Sequence, residues 1–374
     1  MGSSRYDVAV VGGGPAGLAT ALTLVRDGLD VIVIERSDYR SLRVGEHVAP
    51  GTKPLLGALG LSSLFESGRH VSCPGIRSVW GTSKPADRDY LFHPNGEGMN
   101  LSRPDFDSNL AAIAARLGAR IVTSARISAI TRSRGSWDIS FQHEAQTSGI
   151  RCAAVIDATG RAASVAKRVG ATPIVYDELV GVVGRTAGSS PDNHLVMIEA
   201  VENGWWYSAG LADGTIIATF MTDADLIDTS TRGRSAVWLR QLQASDITAA
   251  RMTDAAVGAY LDVRTARTQR LDVPAGEGWL AVGDAAMSFD PLSSEGISKG
   301  LEWGSKVARL AAAFCRGDRS VAQLYREDID KAFAEYLLTR YRYYAAEKRW
   351  RDAPFWRRRQ LPPRPIAGIA AAAT

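Results

Sequence analysis

The sequence predicts an α/β chain: a doubly wound, Rossmann-type nucleotide-binding domain, an antiparallel β-sheet domain inserted into it, and a C-terminal helical tail. Three observations predict this. Residues 7–36 read strand, glycine turn, helix, strand; two further apolar runs, at 155–157 and 278–282, each end on a glycine turn; and between residues 173 and 270 alternating strands appear, with turn residues between them. At 374 residues the chain is too long for one compact core of ordinary size, so two intimately packed domains are expected.

The first unit carries the strongest signal. Val8-Ala9-Val10-Val11 is a continuous apolar run, as a parallel strand buried on both faces requires. Gly12-x-Gly14-x-x-Gly17 follows, then a helical segment from Pro15 to about Asp27, then a second apolar run at 31–34 that stops at Glu35. Gly12 allows the tight turn, Gly14 lets backbone amides approach a pyrophosphate, and Gly17 lets helix and strand pack closely. The helix start, with Pro15 fixing its first turn and Ala16 following, supplies free N–H groups from Ala16 on and a partial positive charge. Glu35, 18 residues beyond Gly17 and next to Arg36, is placed to accept from both hydroxyls of a ribose. A lone glycine motif is weak; all five parts in register imply a bound dinucleotide.

The loop after Arg36 gathers Arg43, Gly45, Glu46 and His47 ahead of a helix at 52–59, and on spacing alone it is a polar surface loop. Residues 75–98 read as short strands, among them 76–80 and 90–93. A helix at 102–117, capped by Ser102 with Pro104 in its first turn, sets Arg103 at its start and aims it back at the first domain. Strands follow at 119–123, 125–132 and 137–142, and the 155–157 run leads into Gly160 and Arg161. Ligands of a doubly wound sheet sit at the carboxyl ends of its strands, which places that pair near the cofactor. The inserted sheet comprises 179–186, 194–200, 205–211 and 215–222, with helical segments at 234–244 and 254–261 after it. Trp205, Trp206 and Tyr207 are its most conspicuous residues, and aromatics on a strand usually face a core. The chain returns through 278–282 to Gly283 and Asp284. A helix then runs from Gly296 to Phe314, in which Gly300 and Gly304 allow close approach, and another from Val321 to about Arg351. The Pro/Arg-rich stretch past Pro354 is expected to be loosely held. By domain this gives 1–75, 100–172 and 271–320 for nucleotide binding, 76–99 and 173–270 for the substrate, and 321–374 for the tail.

A hydrophobic fraction of 45% and a charged fraction of 22% describe an ordinary globular protein. Net charge is +4, unevenly placed: from Arg340 to Arg364 there are nine Lys/Arg against two acids, a local +7. That end would suit an acidic partner; a solvated helix face plus tail is the simpler reading, and neither nucleic acid nor membrane is expected as a partner. Three scattered cysteines fit no metal spacing, no apolar run reaches 18 residues, and the first strand leaves no room for a targeting segment, so a cytoplasmic setting is expected.

GGGPAG with Glu35, DATGR at 157–161 and GDAAMSFDPLSSEG at 283–296 together resemble the single-component FAD-dependent monooxygenases, the GR2 or p-hydroxybenzoate hydroxylase-like fold shared with flavin-dependent halogenases and geranylgeranyl reductases. VGEHVAPGTKPLLGALGL (44–61), NGWWYSAGL (203–211) and DPLSSEGI (290–297) are most similar to the halogenase-like maturases of tryptophylquinone amine oxidases and dehydrogenases. The resemblance implies FAD as cofactor and NADH or NADPH as transient reductant. It implies hydroxylation through a flavin C4a-hydroperoxide of an electron-rich ring, a tryptophan side chain of a peptide or protein; a free or carrier-bound small aromatic is the alternative. An acidic leader of such a peptide would meet the Arg340 to Arg364 end.

Residue by residue, the resemblance puts Gly12, Gly14 and Gly17 at the pyrophosphate, Glu35 at the adenosine ribose, and Arg43 and Arg103 as braces on the flavin side. Asp284, after Gly283, would bond the ribityl chain, while Pro291, Gly296 and Ile297 would flank the isoalloxazine. His47, Glu46, Glu295 and His93 are the candidate proton handlers, with Trp205 and Tyr207 as a stacking wall. Departures from the halogenases matter as much. Arg77 stands in the strand where they carry a lysine, Ser293 replaces a glutamate, and Trp205-Trp206-Tyr207-Ser208-Ala209 replaces their WxWxIP, which implies oxygen transfer. Glu295, where the maturases carry glutamine, reads either as a surface acid at a helix start or as a group over the flavin.

Overall fold

The computed structural model describes residues 4–41, 43–66, 68–187, 194–227, 230–252 and 261–363. The apolar runs become the centre of an eight-stranded sheet. Ser4–Val11 pairs in parallel with Val31–Ile34 on one side and with Gln146–Asp157 on the other, and Arg120–Val122 and Trp279–Ala281 extend the sheet, also in parallel. Strands buried on both faces satisfy their backbone groups only within the sheet, which is why these runs carry no polar side chain before their ends. The Arg126–Ser133 and Ser136–His143 strands branch off the long Gln146–Asp157 strand as an antiparallel ribbon.

Two helices cover the parallel core and meet closely. Gly300 and Gly304 of the Gly296–Cys315 helix face the first helix, Pro15–Arg26: a Cβ on Gly304 would lie 2.5 Å from the Ala16 carbonyl oxygen. Thr20 Oγ1 donates to the Gly304 carbonyl at 3.1 Å across that contact. The expected α/β class with this contact is what the chain adopts.

A seven-stranded sheet stands against this unit, in the order Asp262–Thr265, Leu179–Ala187, Thr215–Asp223, Gly204–Gly210, Val196–Val201, Gly75–Val79, Ala86–Asp89. Every pairing is antiparallel except Val196–Val201 with Gly75–Val79, which are parallel, an orientation that the long stretch of chain between them permits. His47–Val48 joins a small sheet with Gly98–Asn100 and Val71–Cys73, at the seam between the two large sheets.

Four expectations are corrected. Residues 90–93 form a turn rather than a strand, closed by the His93 amide on the Tyr90 carbonyl at 2.8 Å, because Pro94 and Gly96 follow directly. Ser102 stands at the head of the Arg103–Arg116 helix, yet its hydroxyl donates to the Asp105 carboxylate instead of accepting a backbone amide. The long last helix, Val321–Ala346, stops short of Arg351 where Glu347 turns extended. As far as residue 363, the stretch past Pro354 is not loosely held: Phe355 and Trp356 are fully buried, and Arg359 pairs with the buried Asp223. Two aromatic rings in a groove outweigh a Pro/Arg-rich composition. The helical segment expected at 254–261 lies, but for its last residue, outside the described residues. No helix among those described is long and apolar enough to cross a membrane.

Candidate functional site

The glycine turn is closed on one side and open on the other. Gly12 adopts φ +106°, and a Cβ there would sit 2.2 Å from the Ala158 carbonyl oxygen; one on Gly17 would sit 2.0 Å from that of Gly12. A Cβ on Gly14 would meet nothing within 4 Å, so this position faces open space at the first helix's free amides. Glu35 is buried at the end of the second strand, where its carboxylate accepts from the Gly13 amide at 2.6 Å and from Ser37 and Arg43. Burial raises its pKa, but the Ser37, Gly13 and Arg43 contacts together hold it below the usual range. Arg36, next to it, is exposed.

Arg43 and Arg103 are clamped by one acid. Arg43 bridges Glu35 and Asp107 at 2.9 Å each, and Arg103 donates to Asp107 at 3.1 Å and to the Val44 carbonyl at 2.7 Å. Asp107 is fully buried. In sequence it is only an acid near the start of the Arg103–Arg116 helix, with nothing local to show that it holds both arginines.

At the other end, Gly160 and Gly283 both adopt positive φ in tight turns, and Arg161 pairs with Asp284 at 2.9 Å. Asp290-Pro291 then leads through a short turn to Gly296, which faces open space at the head of a helix of 20 residues, while Ile297 is buried behind it. Open space before Gly14, Gly160 and Gly296, with free helix amides at Gly14 and Gly296, fits FAD. The first helix and glycine turn would hold the pyrophosphate, Glu35 the ribose, Asp284 the ribityl chain, and the Pro291–Ile297 stretch the ring.

Between the two sheets, Glu46 Oε1, His47 Nε2 and the Tyr207 hydroxyl are among the buried polar atoms with no hydrogen-bond partner among the described residues. Burial pushes the Glu46 carboxyl up, with Arg103 and Arg185 opposing. Burial pushes His47 down to about 4. Its tautomer is set by Asn100, whose amide nitrogen donates to the His194 and Gly210 carbonyls at 2.9 and 3.1 Å. The Asn100 oxygen therefore faces His47 Nδ1, 3.1 Å away, so Nδ1 carries the proton and Nε2 is left as an acceptor. Tyr207 is raised well above its ordinary value by burial and then by the nearby Glu46. A cavity of about 250 Å³ lies beside Glu46, walled by Arg43, Arg103, Arg185, Leu211 and Ile217.

The other candidates fall elsewhere. Trp205 does not line this cavity: it is fully buried in one cluster with Tyr344, Phe355 and Trp356, against Trp80, and its Nε1 donates to the Tyr344 hydroxyl at 3.0 Å. Arg77 pairs with Asp87 at 2.9 Å on the exposed edge, because strand alternation turns it away from the face on which Ile76 packs. His93 accepts from the Asn95 amide and lies edge-on to Tyr90, whose ring stacks in turn on His47. Glu295 is exposed at its helix head, near Lys299. Of the basic end, Arg340 pairs with Asp177, Arg349 with Glu347, and Arg358 and Arg359 with Asp223, all acids of this chain.

Residues 5–332 match the family described as FAD binding domain. The chain is 32% identical over 362 residues to the putative FAD-dependent oxidoreductase LodB of Marinomonas mediterranea, covering 95% of this chain and 96% of that one. Among solved structures it superposes on the flavin-dependent halogenase CmlS with a TM-score of 0.82 at 23% identity, over 96% of this chain and 68% of that one. It superposes on the peptidyl tryptophan dihydroxylase QhpG, described as essential for tryptophylquinone cofactor biogenesis, with a TM-score of 0.80 at 24% identity, over 99% and 82%.

Proposed function

This chain belongs to the FAD binding domain family as an FAD-dependent oxidoreductase, and we propose that it hydroxylates an electron-rich aromatic ring, a tryptophan side chain of a peptide or protein, using O2 and NADH or NADPH. The observation that carries the reading is the group of unpaired buried atoms at Glu46, His47 and Tyr207. Leaving a buried polar atom unmatched costs about 1–3 kcal/mol, so three together mark a place kept for a ligand. FAD, when bound, supplies the electron transfer and the activation of oxygen. The protein's part is to hold the ring, exclude water and move protons.

Each atom of the group suits one of those tasks. Glu46, its carboxyl pushed up by burial, is the group suited to pass a proton; Tyr207 orients a ring substituent or a peptide group by donating its hydroxyl proton. His47 Nε2, already the acceptor, takes up the proton that leaves the ring carbon when aromaticity returns. The likeness to QhpG supports a peptide-borne tryptophan, and the absence of a lysine from the Gly75–Val79 strand supports oxygen transfer over halogenation. The modest size of the cavity, about 250 Å³, favours a second reading, a free or carrier-bound small aromatic.

The test supplies FAD-loaded protein with NADH or NADPH, O2 and either tryptophan-containing peptides or free indoles and phenols. Expected are peptide-stimulated NAD(P)H oxidation and a product heavier by oxygen. A product formed only with chloride or bromide, or NAD(P)H oxidation indifferent to every aromatic, overturns it.

A further inference from the structure

We propose that Tyr344, on the Val321–Ala346 helix, is a positioning residue that ties the substrate-side sheet to the loop carrying Pro291. Its hydroxyl is used in both directions. It accepts from Trp205 Nε1 at 3.0 Å and donates to Asp290 Oδ2 at 2.6 Å, so its rotation is fixed by the sheet on one side and the loop on the other. Trp205 and Tyr344 are fully buried and Asp290 is 1% exposed, so no solvent competes for these bonds. The bond to the carboxylate is short and charge-assisted, the stronger kind.

Asp290 in turn sets the loop. Its Oδ1 accepts from the Leu292 amide at 3.0 Å, shaping the Pro291–Ser293 turn, and its own amide donates to the Tyr336 hydroxyl at 2.7 Å. Arg340 reaches Oδ2 at 3.5 Å while holding Asp177 at 2.7 Å. Three side chains of one helix, at 336, 340 and 344, thus fix the residue before Pro291. Trp205 sits two residues from Tyr207 on the same strand face, so an occupant that displaces Tyr207 acts on the Tyr344 hydroxyl through one backbone segment. The sheet that meets the substrate thereby adjusts the loop that would meet the flavin. The inference rests on the FAD reading above for the role of that loop, and not on which ring is oxidised.

The experiment compares wild type, Tyr344→Phe, Trp205→Phe and the double variant, each as the full chain. The readouts are the Kd for FAD by fluorescence quenching and the visible-region circular dichroism of bound FAD, with urea midpoints alongside. Tyr344→Phe keeps the ring and its packing, and is expected to weaken FAD about five- to tenfold and to change the flavin dichroism, as loss of one charge-assisted bond allows. Trp205→Phe moves both readouts in the same direction, and the double variant is no worse than Tyr344→Phe, since both act through one hydroxyl. Wild-type Kd and dichroism in Tyr344→Phe, or losses that multiply in the double variant, overturn the proposal. Should Tyr344→Phe fail to fold, Tyr336→Phe, which frees the Asp290 amide, must shift the same dichroism or the proposal falls. A wild-type chain that takes up no FAD overturns the cofactor reading and this inference with it; normal uptake with indifferent variants overturns this inference alone.

Discussion

Replacing Trp356 with alanine tests whether the end of the chain is part of the core. Trp356 is fully buried, its Nε1 donates to the Val201 carbonyl at 3.0 Å, and its ring lies edge-on to Trp80 at 5.3 Å and to Phe355 at 5.2 Å. Truncating a buried tryptophan costs about 3–5 kcal/mol through lost transfer energy and the cavity left behind. The orphaned Val201 carbonyl adds about 1 kcal/mol. A total near 4–6 kcal/mol is a large share of the roughly 5–15 kcal/mol that holds a folded protein together. Urea unfolding followed by far-ultraviolet dichroism reads it as a lower midpoint at an unchanged slope. A chain ending at Ala353 must lose at least as much. A loss under about 1 kcal/mol for Trp356→Ala would refute the reasoning, because it would mean that the segment past Pro354 rests on the surface without supporting it.

Three further predictions follow from the site. Gly14→Ala should leave the melting temperature within a degree or two, since its added Cβ meets no protein atom and its backbone is ordinary, yet weaken FAD at least about tenfold by blocking close approach; an unchanged Kd counts against the phosphate cradle. His47 is held down to about 4 from 6.5, so the unfolded chain binds its proton first as pH falls between those values, and stability drops by about 3 kcal/mol over that window. His47→Gln should flatten that part of the pH dependence of the urea midpoint; an identical profile in the variant removes His47 as its source. Glu46→Gln keeps the shape and removes the titratable carboxyl, so oxygenation should fall about 10²- to 10⁴-fold while FAD affinity holds, measured by product mass against FAD titration. Wild-type turnover in that variant would exclude Glu46 as a proton donor.

What the sequence makes legible is local. The glycine turn, the strands on either side of it and the glycines that let the Gly296–Cys315 helix be approached closely are each specified within about 30 residues, by periodicity and by which position lacks a Cβ. What stays hidden depends on partners far away in the chain. Trp205 and Tyr207 look alike on a strand, but one meets Tyr344, 139 residues on, and the other reaches Glu46. Asn100 gives no sign of its role until its amide is seen anchored to two carbonyls, which is what fixes the His47 tautomer. The basic end looks solvated because its acids lie elsewhere: Asp223 and Arg359 are 136 residues apart. Composition describes a segment's affinity for water and not the groove that awaits it, so buried aromatics such as Phe355 and Trp356 were masked by the arginines around them. The loop at Asp290 follows the same rule. Motifs record which residues would touch a ligand, whereas the position of this loop is decided by three side chains on a helix that begins 31 residues later.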